Sequence, residues 1–172
     1  MFETPNITRR RRALIDALAQ LAAAQSIDNL VTTLRGTARA IAAADGITVV
    51  RRMGDRVAYV AEDAASPLWT GQDFPIESCI SGIAMIEDRA ILIPDIFADP
   101  RVPHAAYATT FARSMAMFPI GMGSPQMAMG AYWRTVGPID PDAVAFLSSL
   151  ARCATVAFER VGREPQPLAV SA

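Results

Sequence analysis

By residue type, Cys79, Cys153 and His104 are the side chains best suited to nucleophilic, redox or acid–base chemistry, and they are the chain's only thiols and only imidazole. A thiol that attacks sulfur needs a second thiol to resolve the intermediate. Cys153, however, lies far along the chain, in a terminal helical pattern. His104 alone has an ordinary pKa near neutrality, so any Ser-His-Asp or Cys-His arrangement would run through it. One His and two separated Cys make no zinc site. All 16 basic residues are Arg. Without Lys there is no Walker phosphate loop, Schiff-base lysine or kinase-type ATP lysine. A formal charge of −1 gives no electrostatic reason to bind nucleic acid or an anionic membrane.

The elements that would position these residues belong to one domain, as expected for 172 residues. With 52% hydrophobic and 19% charged residues the chain can build a core and is not of disordered type. No run approaches the ~20 apolar residues of a membrane helix, and the start lacks a secretory pattern. Two unpaired Cys fit a reducing compartment, so a cytoplasmic location is expected. Asn6 or Thr8 would cap a first helix reaching residue 25, with Leu14, Ile15, Leu18 and Leu21 as its apolar stripe. The Arg9–Arg12 run at its start points in almost all directions and reads as solvated. Ser26 would cap a second helix that buries Leu30, Leu34 and Ile41 and stops at Asp45-Gly46.

The hydrophobic period then changes to 2. Residues 47–52 and 57–61 form a hairpin across Met53-Gly54-Asp55. After a loop over 62–71 come a short strand at 74–76, a helical turn over 79–87 capped by Ser78, and a strand at 90–93. Pro94, Pro100 and Pro103 make 94–104 an irregular crossing segment, and 107–111 reads as a short helix. Residues 115–120 and 127–134 form a second hairpin. Asp140-Pro141 opens a last helix to about Val161. The domains expected are thus an N-terminal helix over 1–26, a folded unit over 27–161 and a tail over 162–172. The fold class is α+β. An antiparallel sheet would carry the helices of both chain ends on one face and the crossing segment on the other.

Cys79-Ile80-Ser81-Gly82-Ile83-Ala84, Ile91-Leu92-Ile93-Pro94-Asp95-Ile96, Asp99-Pro100-Arg101, Phe111–Ile120 and Met129-Gly130-Ala131-Tyr132-Trp133 occur in that order. With these pieces at these spacings, the chain resembles GAF domains, most of all those of bacterial sensor histidine kinases. The resemblance implies a central antiparallel sheet of five or six strands, with a pocket between sheet and crossing segment. It also implies terminal helices that pair in a homodimer.

The expected pocket residues are Trp69, Phe74, Cys79, Ile80, Ile93, Ile96, Tyr107, Phe111, Met115, Met117 and Trp133, with Asp95, Arg101 and His104 as polar contacts. Alternation assigns only one face of each strand to the pocket and does not say which. His104 reads either as a ligand contact or as a solvated loop side chain, and Asp95 either as a contact or as a local cap.

Some GAF proteins reduce free methionine-R-sulfoxide. Here the crossing segment has His104-Ala105-Ala106 where the family's further cysteine should lie, so Cys79 reads as a small buried residue. The Cys-His pair of bilin attachment is missing as well. The expectation is a non-catalytic cytoplasmic sensory domain that binds a small molecule. No output domain follows Val161, so it would signal through its terminal helices to a separate partner protein. A dimerisation module without ligand is the alternative. Purines, cyclic nucleotides, bilins, haem and amino acids all serve this family, and these residues select no cofactor among them.

Overall fold

The computed structural model describes residues 7–163. The expected Asn6 cap and the tail from residue 164 lie outside them. Helix α1 (Ile7–Ala23) is followed at once by α2 (Ile27–Ala42). Ser26 Oγ accepts from Asn29 N at 3.1 Å, and Asn29 Oδ1 accepts from Gln25 N at 3.1 Å, a reciprocal pair of cap bonds. The stop of α2 differs from expectation. Ala43 takes the left-handed conformation (φ 50°), and Gly46 already belongs to β1 (Gly46–Met53). A Cβ on Gly46 would lie 2.8 Å from the Phe111 ring and 2.9 Å from Ala64 Cβ. This glycine serves close packing, not helix termination.

β1 turns through Gly54 (φ 67°) into β2 (Arg56–Ala64). Next come β3 (Asp73–Pro75), α3 (Ile80–Glu87), β4 (Ile91–Ile93), α4 (His104–Tyr107), β5 (Ser114–Ile120), β6 (Met127–Trp133) and α5 (Pro141–Arg163). Several boundaries shift: β2 runs on to Ala64, into the expected loop, and α5 to Arg163, two residues into the expected tail. Cys79, not Ser78, stands at the start of α3, because Ser78 Oγ donates to Pro75 O at 3.0 Å. The short helix begins at His104, not at Tyr107, with Pro103 as the residue that precedes it. At α5 the expected cap is present, with Asp142 N donating to Asp140 Oδ1 at 3.0 Å.

The strands form one antiparallel sheet in the order β3-β2-β1-β6-β5-β4. Helices α1, α2 and α5 cover one face around Leu34, Ile41, Val49, Phe118, Met129 and Leu147. On the other face α3, through Ile80, and residues 94–113 cover Val50, Val57, Met115 and Met117. This is the layering expected from the sequence, and the fold is GAF-like.

Register decides which side chains face which core. Met115 pairs with Tyr132 and Met117 with Gly130, so these positions face residues 94–113. Ala116, Phe118, Met129 and Ala131 face the helices. Trp133, expected in the pocket, therefore lies on the helix side. In β2, Val50 pairs with Tyr59 and Val49 with Ala61, leaving Val60 as an extra residue. This bulge inverts the alternation: Val57 and Tyr59 face the crossing segment, and Ala61 faces the helices.

The terminal helices are tied at both ends. Arg10 on α1 bonds Asp140 at the start of α5, and Arg160 on α5 donates to Ala24 O at 2.7 Å, Ala22 O at 3.1 Å and Leu21 O at 3.3 Å. The two helices thus run parallel. Two expectations for α1 are corrected here. Arg10 is only 4% exposed, since its partners and the Phe146 ring beneath it replace water. Ile15 is 65% exposed and lies off the buried stripe, which runs through Ala17 and Leu21.

Candidate functional site

All three tyrosines of the chain, Tyr59, Tyr107 and Tyr132, converge between the sheet and residues 94–113. The β2 bulge turns Tyr59 inward, and the β5–β6 register brings in Tyr132. Gly130 makes room for the latter: a Cβ there would lie 2.6 Å from Tyr132 Oη, 2.8 Å from Met117 Cε and 2.9 Å from Thr48 Oγ1. The space left by glycine is occupied by the Tyr132–Thr48 hydroxyl bond, at 3.1 Å.

Glu62 positions the fourth ring. Its carboxylate accepts from Leu68 N at 3.0 Å, Trp69 N at 3.0 Å and Thr70 N at 3.1 Å, wrapping the loop around itself. Trp69 is thereby laid over the tyrosines, with ring centroids 4.7 Å from Tyr107, 5.4 Å from Tyr132 and 5.5 Å from Tyr59. These are edge-on contacts, each worth about 0.5–1.5 kcal/mol beyond area burial. Trp69 Nε1 donates to Ala106 O at 3.1 Å, which fastens the loop to the crossing segment.

Under this lid lies a small polar floor. Tyr59 Oη and Ser81 Oγ are 3.4 Å apart, Cys79 Sγ and Ser81 Oγ 3.3 Å, and Tyr107 Oη donates to Met115 Sδ at 3.7 Å. Burial pushes all three phenols well above their ordinary range. Burial also pushes the Cys79 thiol up, and the Ser81 hydrogen bond partly offsets it. The floor therefore carries neutral hydroxyls and a protonated thiol. The void left among Tyr59, Trp69, Phe74, Cys79 and Tyr107, closed by Pro103 and Ala106, measures ≈20 Å³. That is room for about one water.

Apart from Trp133, which lies on the helix side, the expected site residues divide into three groups. Trp69, Phe74, Cys79 and Tyr107 line the void. Ile80, Ile93, Ile96, Met115 and Met117 form the apolar core around it, with Phe111 packed at its edge. Asp95, Arg101 and His104 are engaged within the crossing segment. Asp95 caps Phe97 N at 3.1 Å, Arg101 pairs with Asp99 at 2.7 Å, and His104 Nε2 donates to Asp99 O at 2.9 Å. Tyr59 and Tyr132 were not among the expected residues.

Cys153 packs against the helix-side core, so the sheet lies between the two thiols. Among the described residues no group of three or more His, Cys, Asp or Glu is placed to hold a metal, and no helix is long and apolar enough to cross a membrane.

No family model and no curated protein matches this sequence. Solved structures do match its fold. A free methionine-R-sulfoxide reductase from Neisseria meningitidis, in complex with its substrate, superposes with a TM-score of 0.76 at 15% identity, over 92% of this chain and 93% of that one. The GAF domain of an Acinetobacter phosphoenolpyruvate-protein phosphotransferase gives 0.75 at 12% identity, over 92% and 97%. The chromophore-binding domain of a bacteriophytochrome from R. palustris gives 0.74 at 15%, over 92% of this chain and 64% of that one. At these identities the likeness establishes the GAF-like fold.

Proposed function

We propose that this chain is a non-catalytic sensory or regulatory module that takes a small molecule between the sheet and residues 94–113. The observation that carries this reading is the hydroxyl-bearing floor beneath Trp69. Few polar groups in an apolar, aromatic enclosure are what a small-ligand site offers. A ligand larger than water would have to displace Trp69 and the segment bonded to it at Ala106. Binding would then favour one arrangement of that segment over another. Cytoplasmic location and a separate output partner are parts of the same reading. So is a homodimer through α1 and α5, on which Ile15 and Val156 stand 65% and 67% exposed. Replacing both with Arg is expected to give a monomer in sedimentation.

The ≈20 Å³ void supports a second reading, an interaction module filled by its own rings. Native mass spectrometry of the purified protein, with thermal melts against adenine, cyclic AMP, cyclic GMP and free amino acids, separates the two. A retained mass or a raised melting temperature favours the sensor. An empty protein that responds to none favours the interaction module. The reductase named among the structural neighbours is the enzymatic rival, but a buried protonated Cys79 with no second thiol beside it is poorly suited to that chemistry. Turnover of free methionine-R-sulfoxide, abolished by Cys79→Ser, would establish it instead.

A further inference from the structure

We propose a second ligand site on the helix side of the sheet, built for a small monocarboxylate with an apolar body. A cleft of ≈540 Å³ opens there, with the end of α2, the ends of β5 and β6 and residues 135–140 as its walls. It is far larger than the void under Trp69 and within the range of small-molecule sites, about 300–1,000 Å³. Its walls are mainly apolar, with Ala42, Trp133, Val136, Pro138 and Ile139 among them.

Arg10 also lines this cleft and is 4% exposed. Its Nε donates to Ile41 O at 2.9 Å and its Nη1 to Asp140 Oδ2 at 3.0 Å. Nη2 is buried with no hydrogen-bond partner, the one such side-chain atom among the described residues. A buried charged donor without an acceptor is costly, and native structures satisfy nearly all of them. Arg10 lines the open space, but Nη2 itself has almost no accessible surface, so a ligand reaches it only when the guanidinium turns toward the cleft.

The other polar groups of the cleft define the ligand. Ser114 Oγ donates to Thr135 O at 2.7 Å and Trp133 Nε1 to Ala43 O at 3.1 Å, so neither has a proton left to donate to a ligand. Asp140 stands beside Arg10 and repels a polyanion. The positive end of α5 begins at the same place but is already capped by Asp140 Oδ1, so Arg10 Nη2 is the donor left to a ligand. One charged donor at an apolar wall fits a ligand with one carboxylate and a hydrocarbon or aromatic remainder. This site is separated from the tyrosine floor by the sheet, and its occupancy does not depend on the proposed sensor site.

Benzoate is a suitable probe, followed by proton–nitrogen NMR on the full chain. The two tryptophans serve as internal controls, since Trp133 lines this cleft and Trp69 covers the other face. Titration is expected to shift the Trp133 indole and the Arg10 Nε signals and to leave the Trp69 indole in place. Benzamide, without the charge, is expected to bind about tenfold more weakly. Val136→Phe, at a lining position 58% exposed, places a ring at the cleft while keeping Arg10 and is expected to weaken the shifts. The proposal is overturned if benzoate leaves Trp133 unmoved, if benzamide binds equally well, or if Val136→Phe binds like the wild type.

Discussion

Arg10 and Asp140, 130 residues apart, meet at 3.0 Å, and the same carboxylate that holds the guanidinium of α1 also starts α5 through Asp142 N. One side chain thus does two jobs: it neutralises a buried cation and caps the longest helix of the fold.

Asp140→Ala is expected to lose both. A buried cation left alone costs about 3–5 kcal/mol, reduced here because Asp140 is 44% exposed, and the cap adds about 1 kcal/mol. Arg10→Met removes the charge and keeps apolar contact with Phe146, so it should cost less. Urea unfolding of both variants checks the order, and Arg10→Met as the more damaging change would refute it.

Trp69→Ala should open the tyrosine floor to solvent. The lost packing is worth about 3–5 kcal/mol by comparison with other buried Trp truncations. In a Cys153→Ser background, Cys79 is expected to react with a thiol reagent much faster than when Trp69 is present. Equal rates would mean that Trp69 does not close the site.

Gly130→Ala drives a methyl group into the Tyr132–Thr48 bond and is expected to cost about 1–3 kcal/mol. Tyr132→Phe removes the clashing oxygen at a cost of about 1 kcal/mol. The double variant should be more stable than the sum of the two, by more than about 0.5 kcal/mol. Simple additivity in chemical denaturation would place the clash elsewhere.

Stability should fall at alkaline pH. Tyr59, Tyr107 and Tyr132 have native pKa values raised well above the ordinary 10.0, chiefly by burial. Above about pH 10 the unfolded chain releases phenolic protons that the native chain retains, so it binds fewer protons and unfolding becomes easier as pH rises. The tyrosine contribution is complete below that pH and is lost as pH climbs toward the native values. Melting temperatures at pH 9 and pH 11, with phenolate absorbance followed in parallel, should show ionisation coinciding with unfolding. Phenolate formation in the intact fold near pH 10 would contradict the burial.

The element order was legible because helix and strand periods differ and because Ser26, Gly54 and Asp140 mark boundaries by their own chemistry. The faces of the strands were not. A period of 2 offers two assignments, and only pairing of β5 with β6 selects Tyr132 over Trp133 for the floor. Tyr59 was hidden by the Val60 bulge, which breaks alternation without a glycine or proline to signal it. Four consecutive arginines point in every direction, so the sequence could not single out Arg10, whose burial depends on partners more than thirty residues away. For Arg101 and His104 the competing partner was local, the neighbouring Asp99.

The parallel pairing of α1 and α5 gives the described chain a polarity. Its first helix begins beside Asp140, and its last helix passes Ala24 at the far end of the pair. Helices of 17 and 23 residues extend about 25–35 Å. The two ends of the described chain are thus held that distance apart by a strut fastened with arginine at each end. A protein gripping one end would touch nothing bound at the other, and a pull or twist would have to travel along the strut.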